Sequence, residues 1–229
     1  MPPHGRVGHQ STRRCIIDHR LSRTSPGPRE KNRAHAVLWF ADIRGFTAMS
    51  DSSPGAVVID LLNRVFEALA AALRSRGGEV MKFLGDGMLA TLAFDERDRA
   101  ATCRAALDSA EEAAAAIAAL SASRGASGLP AVTVDFARHV GEVLYGKVGA
   151  ADRLDFTVIG PAVNEVARIE ALCEPLNRPV LVSAEFAASL GDAGSRLVSL
   201  GLYRLRGVRD AKEIFALMTS TARPRQKRP

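Results

Sequence analysis

Cysteine is rare in this chain of 229 residues: Cys15, Cys103 and Cys173 are odd in number, far apart and form no Cys-x-x-Cys pair. That argues against a disulfide framework or a cysteine-based zinc site and fits a reducing, cytoplasmic setting. Long apolar runs are missing too. The longest uncharged stretch of the Ala-rich middle is Ala113 to Ser123, well short of the ~20 residues a spanning helix needs, so no membrane span is expected. The Arg-rich start has no apolar segment beyond Cys15-Ile16-Ile17, so it is not expected to act as a secretory signal. No internal repeat is visible. With 47% apolar and 24% charged residues, the composition is globular rather than fibrous or wholly disordered. The length suits one domain with tails and a sizeable core.

The net charge of +6 is unevenly placed. Residues 1–35 hold eight Lys/Arg and two acids, residues 223–229 hold four and none, and 36–222 are left with 19 bases against 23 acids. The basic balance therefore belongs to the ends. They read as solvated, disordered tails, 1–35 and 219–229, around a domain of 36–218. Contact with an anionic surface or nucleic acid is the competing use of such charge; with the tails read as solvated ends, no nucleic-acid partner is expected.

Ala36 to Ala41 is a short run of β formers ending at Asp42, and reads as a buried strand. Ile43 to Ser53 reads as a loop. From Pro54, apolar residues at Val58, Leu61, Leu62, Val65, Phe66, Leu69 and Leu73 trace one helical face, stopped by Gly77-Gly78. Residues 79–84 and 88–94 read as strands of a hairpin around Gly85-Asp86-Gly87. An Ala-rich helix over about 96–121 follows, then strands over 132–145 and 154–159, a helix over 161–172 and a short strand over 179–182. A helix over 184–190 and strands over 197–205 and 213–217 complete the order. The opening strand-helix-strand-strand-helix-strand order predicts an α+β fold, a ferredoxin-like βαββαβ core with a C-terminal extension and a mostly antiparallel sheet flanked by helices.

Two carboxylates stand out. Asp42 sits where a buried strand emerges and Asp86 at a hairpin tip, so both can meet at one sheet end and hold Mg²⁺ together with substrate phosphates. Read singly, each is an ordinary turn or strand-end Asp. Gly45-Phe46-Thr47 lies between Asp42 and a helix start, where backbone N–H groups can cradle phosphates. Lys82, inside Met81-Lys82-Phe83-Leu84, is either an edge residue reaching to water or a placed donor. Asn164 and Arg168, four apart on a helix, share a face and can reach a ribose and a phosphate, or form a plain polar helix face. His139 reads as structural.

Taken together, four stretches resemble the class III adenylate/guanylate cyclase catalytic domain: Phe40-Ala41-Asp42-Ile43-Arg44-Gly45-Phe46-Thr47, Gly78 to Gly87, His139-Val140-Gly141-Glu142-Val143, and Asp155 to Glu170. The similarity spans roughly 36–218. It implies an adenylate cyclase converting ATP to 3′,5′-cyclic AMP and pyrophosphate. It also implies two Mg²⁺ ions per site, replaceable by Mn²⁺, on Asp42, Asp86 and the Ile43 carbonyl. Lys82 and Thr157 match the purine-selecting positions, Asn164 the ribose-orienting one and Arg168 the one that stabilises the reacting phosphate. Arg206 matches a base that holds the terminal phosphates. The family's sites lie between two catalytic domains, which implies a homodimer with shared sites.

Lys82 can donate to the adenine N1, and Thr157 can accept from its 6-amino group. Relatives built for guanine usually show Glu and Cys there. Thr157 replaces the Asp of many relatives and resembles the bicarbonate-responsive subclass. The alternatives are a guanylate cyclase, disfavoured by Lys82, and a silent cyclase-like dimerisation module, disfavoured because no principal position is lost. A diguanylate cyclase is disfavoured because Gly85-Asp86-Gly87 is not its Gly-Gly-Asp/Glu-Glu-Phe signature.

Overall fold

The computed structural model describes residues 32–150 and 153–218; the remaining basic ends, 1–31 and 219–229, lie outside the described residues. The first strand, β1 (Asn32–Ile43), is longer than its apolar run. Residues 32–35, expected in the tail, pair with Glu142 to Tyr145, and Arg33 meets Glu142 in an ion pair of 2.7 Å. A polar strand extension carries no apolar signature, which is why the sequence hid it.

The expected loop over 43–53 also needs correction. Phe46–Asp51 forms a short helix, α1, entered through Gly45 at φ 66°. Phe46 and Met49, one turn apart, pack on the core. Six residues are too few for a period to show. Pro54 then caps α2 (Gly55–Arg74), whose Leu61, Val65, Leu69 and Leu73 are buried at four-residue spacing. Its end is closed by the Gly78 N–H donating to the Leu73 carbonyl at 3.0 Å, with Gly77 left-handed at φ 80°.

The hairpin forms as expected: β2 (Glu79–Leu84) and β3 (Gly87–Phe94) flank the two-residue turn Gly85-Asp86. Gly85 takes φ 65°, the conformation a II′ turn demands at its first central position. The register slips between Val80 and Lys82, so Met81 is an extra, buried residue and Lys82, Phe83 and Leu84 are exposed. The Ala-rich helix, α3 (Arg99–Ala126), starts and ends later than expected. Cys103, Ala106, Leu107, Ala110, Ala113 and Ile117 line its buried side.

β4 (Val134–Ala150) is the longest strand and β5 (Arg153–Ile159) folds back along its far half. The chain continues through α4 (Pro161–Glu170), α5 (Cys173–Leu176), β6 (Val180–Ser183), α6 (Ala184–Ala188), a 3₁₀ turn at Gly191–Arg196, β7 (Leu197–Tyr203) and β8 (Lys212–Leu217). The eight-stranded sheet has the order β2-β3-β1-β4-β6-β8-β7, with β5 paired to β4. Its first four strands follow the ferredoxin-like order, and only β4–β6 is parallel. The mixed α+β fold with a mostly antiparallel sheet and flanking helices is therefore present.

Trp39 and Phe136 meet edge to face at 5.5 Å in the core. Arg138, opposite Trp39 across β1 and β4, lies over both rings at 4.9 and 5.2 Å and is fully buried. Its Nε donates to the Ala106 carbonyl at 3.2 Å, while neither terminal nitrogen has a hydrogen-bond partner. Burial lowers its pKa to about 9. Cys103 and Cys173 are buried free thiols. Among the described residues, no helix is long and apolar enough to cross a membrane.

Candidate active site

The central pairing of β1 with β3 sets Asp42 directly opposite Gly87, so Asp86 in the turn stands beside it. Gly87 makes room for this arrangement. A Cβ there would lie 2.8 Å from Asp42 Oδ1, between the Ala41 carbonyl oxygen at 3.3 Å and that of Leu84 at 3.4 Å. Across β1 on the other side, Asp42 faces Asp135 of β4. Burial first, then the charges of Asp86 and Asp135, raise the Asp42 pKa to about 6 against an opposing hydrogen bond from the Ile43 backbone.

Two further acids and one base surround this end of the sheet, and sequence reasoning missed all three. Asp135 is buried and receives both arms of Arg44, Nε to Oδ2 at 2.8 Å and Nη2 to Oδ1 at 2.5 Å. Glu170, at the end of α4, is raised to about 7 by burial and then by Asp42, Asp135 and Asp86. A buried acid within Val134-Asp135-Phe136 was a visible signal that a cation must lie nearby. Its partner stands 91 residues away, which no local pattern reveals.

Arg44 answers Asp135, so Asp42 and Asp86 keep an excess of negative charge. Among the described residues, no group of three His, Cys, Asp or Glu side chains converges as a ligand set. Two carboxylates with ligands still to be supplied suit Mg²⁺, which commonly takes one or two carboxylates plus substrate phosphates. The residues present therefore fit a divalent cation. The Phe46 side chain packs on the core, so only its backbone, like that of Thr47 in the first turn of α1, is free to face a phosphate.

The remaining candidates gather elsewhere. Asn164 and Arg168 of α4 line a cleft of about 440 Å³ with Ala167 and Leu172, and Arg204 and Arg206 form its opposite wall. Arg206 thus stands with Asn164 and Arg168, and Arg204 adds a base that sequence reasoning did not single out. Lys82 is exposed on the edge strand β2, turned outward after the bulge at Met81. Thr157 is buried on β5 opposite Gly146, and β5 approaches β2 to within 8 Å between Cα atoms. Neither Asp42 nor Asp86 lines that cleft. Within one chain the carboxylates and the basic cleft form two separate groups. His139 stands apart from both carboxylates, with Nδ1 hydrogen-bonded to Ser183 Oγ at 2.9 Å.

Residues 29–219 match the family model described as the adenylate and guanylate cyclase catalytic domain. The chain is 33% identical over 167 residues to an uncharacterised protein of Mycobacterium tuberculosis, covering 73% of this chain and 30% of that protein. It is 28% identical over 195 residues to adenylate cyclase 1 of Rhizobium meliloti, covering 84% and 29%. The chain thus spans about 30% of the length of these relatives. Among solved structures, the adenylyl cyclase CyaB from P. aeruginosa superposes with a TM-score of 0.74 at 24% identity, covering 84% of this chain and 97% of that one. The guanylyl cyclase Cya2 gives 0.71 at 24% identity, covering 82% and 94%. An adenylyl and a guanylyl cyclase thus share this fold, which by itself selects neither base.

Proposed function

The chain belongs to the adenylate and guanylate cyclase catalytic domain family, and from that premise we propose that it converts ATP to 3′,5′-cyclic AMP and pyrophosphate at sites shared between two identical chains. The observation that carries the reading is the division of the site. One chain holds a carboxylate pair, Asp42 and Asp86, and, apart from it, a basic cleft with Asn164, Arg168 and Arg206. A head-to-tail pair of chains would bring the carboxylates of each to the cleft of the other, completing two sites.

Asp42 and Asp86, with the Ile43 carbonyl, would hold two Mg²⁺ ions, or Mn²⁺ in their place. When bound, such ions lower the pKa of the ribose 3′-hydroxyl and neutralise phosphate charge. Asn164 orients the ribose so that its 3′-oxygen stands in line with the α-phosphorus. The Arg168 guanidinium meets the charge that develops on the α-phosphoryl oxygens, the kind of preorganised electrostatic help that dominates phosphoryl transfer. Arg206, with the Phe46 and Thr47 amides, holds the departing pyrophosphate. No side-chain base is required.

Lys82 and Thr157 choose the base. Lys82 donates to the adenine N1 and would confront the N1–H of guanine with a second donor, a mismatch costing roughly 1–3 kcal/mol. The test compares kcat/KM for ATP and GTP in the wild type and in Lys82→Glu. The ATP preference should be about 10- to 100-fold and should collapse in the variant. A ratio unmoved by Lys82→Glu would remove Lys82 from base selection, and a wild type that prefers GTP would make the chain a guanylate cyclase.

A further inference from the structure

The cleft that holds Arg168 and Arg206 has two walls of different origin, α4 on one side and the segment entering β8 on the other. Behind it lies a polar cluster that the proposed chemistry does not use. Lys212, the first residue of β8, contacts Glu185 Oε1 at 2.8 Å and Glu165 Oε2 at 3.4 Å. Glu165 follows Asn164 directly on α4, and Lys212 follows Arg206 by one short turn of chain. His139 closes the cluster from β4, 3.6 Å from Glu165 Oε2 and 3.7 Å from Glu185 Oε2.

We propose that Lys212 and Glu165 form a clamp that sets the width of this cleft, and so the spacing of Arg206 from Arg168, for a polyphosphate chain. Both are positioning residues. The bridge is not an ordinary surface pair, because the Glu165 side chain is only 17% exposed and that of Lys212 only 26%. Its loss would leave the Glu165 and Glu185 carboxylates facing each other around a buried imidazole. Glu185 Oε2 already lacks a hydrogen-bond partner. Two part-buried carboxylates without their cation repel, and the relief open to them is movement of α4 away from β8 and α6. That movement would widen the cleft without touching any residue in it. Leu205, buried between the two arginines of the facing wall, ties that wall to the body of the domain, and Ala162, Val166 and Ile169 tie α4 to the sheet, so the expected change is a small tilt of α4 about its buried face.

The inference rests on the reading of the cleft as a phosphate site, and the experiment separates the two. Inorganic tripolyphosphate binding to the full chain is measured calorimetrically for the wild type, Lys212→Met, Lys212→Arg, Glu165→Gln and the Lys212→Met/Glu165→Gln double variant. ATP turnover is measured in parallel. Lys212→Met should weaken tripolyphosphate about tenfold and raise the KM for ATP more than it lowers kcat, whereas Glu165→Gln, which breaks the bridge without leaving two facing carboxylates, should weaken it about threefold with the same KM bias. The double variant should be no worse than either single one, and Lys212→Arg should bind within about twofold of the wild type. Unchanged affinity in folded variants, or fully additive losses, would overturn the clamp, and where Lys212→Met does not fold Glu165→Gln decides alone. A wild type that binds no tripolyphosphate would also overturn it. A wild type that binds tripolyphosphate but makes no cyclic nucleotide would instead refute the cyclase reading and leave the clamp standing.

Discussion

Gly87→Ala offers a sharp test of how the carboxylate pair is held. The added Cβ would lie 2.8 Å from Asp42 Oδ1 and is itself fenced by the Ala41 and Leu84 carbonyl oxygens at 3.3 and 3.4 Å. Those are backbone atoms of paired strands, so the new carbon has nowhere to retreat and the Asp42 side chain must yield. The overlap with Oδ1 is about 0.5 Å inside ordinary van der Waals contact. A displacement of that order in a group that positions reacting atoms costs up to about 10²-fold in rate, while overpacking of this kind costs about 1–3 kcal/mol of stability. Two assays separate the effects: cyclic AMP formation against Mg²⁺ concentration, and thermal unfolding. Turnover should fall about 10- to 100-fold with a raised Mg²⁺ requirement. In an Asp42→Ala background the same Gly87→Ala change should cost much less stability, because its main collision partner is gone. Wild-type Mg²⁺ dependence in Gly87→Ala, or an equal stability cost in both backgrounds, would refute the reasoning.

Three further outcomes follow from named groups. Asp42 and Glu170 have folded pKa values near 6 and 7, above their ordinary 3.8 and 4.5, so the folded chain binds protons more tightly than the unfolded one. Stability of the metal-free protein, read by thermal unfolding, should therefore rise as pH falls from about 7.5 toward 5. Protons then compete with the cation, so the stabilisation given by Mg²⁺ should be large at pH 8 and small at pH 5; an Asp42→Asn variant should lose most of the difference. Mixing equal amounts of Asp42→Ala and Arg168→Ala chains, each inactive alone, should restore about a quarter of wild-type activity, because half the dimers are mixed and each carries one intact site. Well-folded variants that co-dimerise without activity would contradict the shared site. Arg138→Met should raise the unfolding temperature, since a buried guanidinium with two unpartnered nitrogens is replaced by an apolar chain of similar length, a change worth about 1–3 kcal/mol; a fall would mean that its stacking on Trp39 and Phe136 outweighs the desolvation.

The parts of the fold that were legible were those whose pattern is local. Pro54 and Leu61, Val65, Leu69 and Leu73 announce α2 by spacing alone, and Gly85-Asp86 announces the hairpin by turn chemistry. Asp42 and Asp86 could be paired because the strand order of the core puts β1 beside β3. What stayed hidden needs contacts between distant residues or breaks a period. The Met81 bulge shifts the strand alternation by one residue and turns Lys82 outward, which the apolar run Met81-Lys82-Phe83-Leu84 did not disclose. Arg44 and Asp135 look like an isolated base and an isolated acid until β1 and β4 pair. Asn164 and Arg168 could be read as sharing a helix face from their spacing and Arg206 only from a resemblance, whereas the cleft they share with Arg204 exists only once α4 and the segment before β8 are brought together.

Product identification tests the proposed cyclase activity most directly. The purified chain is incubated with ATP or with GTP in the presence of Mg²⁺ or Mn²⁺, beside an Asp86→Ala control, and the nucleotides are separated by chromatography. The expected products are 3′,5′-cyclic AMP and pyrophosphate from ATP, with little cyclic product from GTP and none from the control. No cyclic product from either nucleotide in a chain shown to be dimeric, or equal product from the Asp86→Ala control, would contradict the proposed activity.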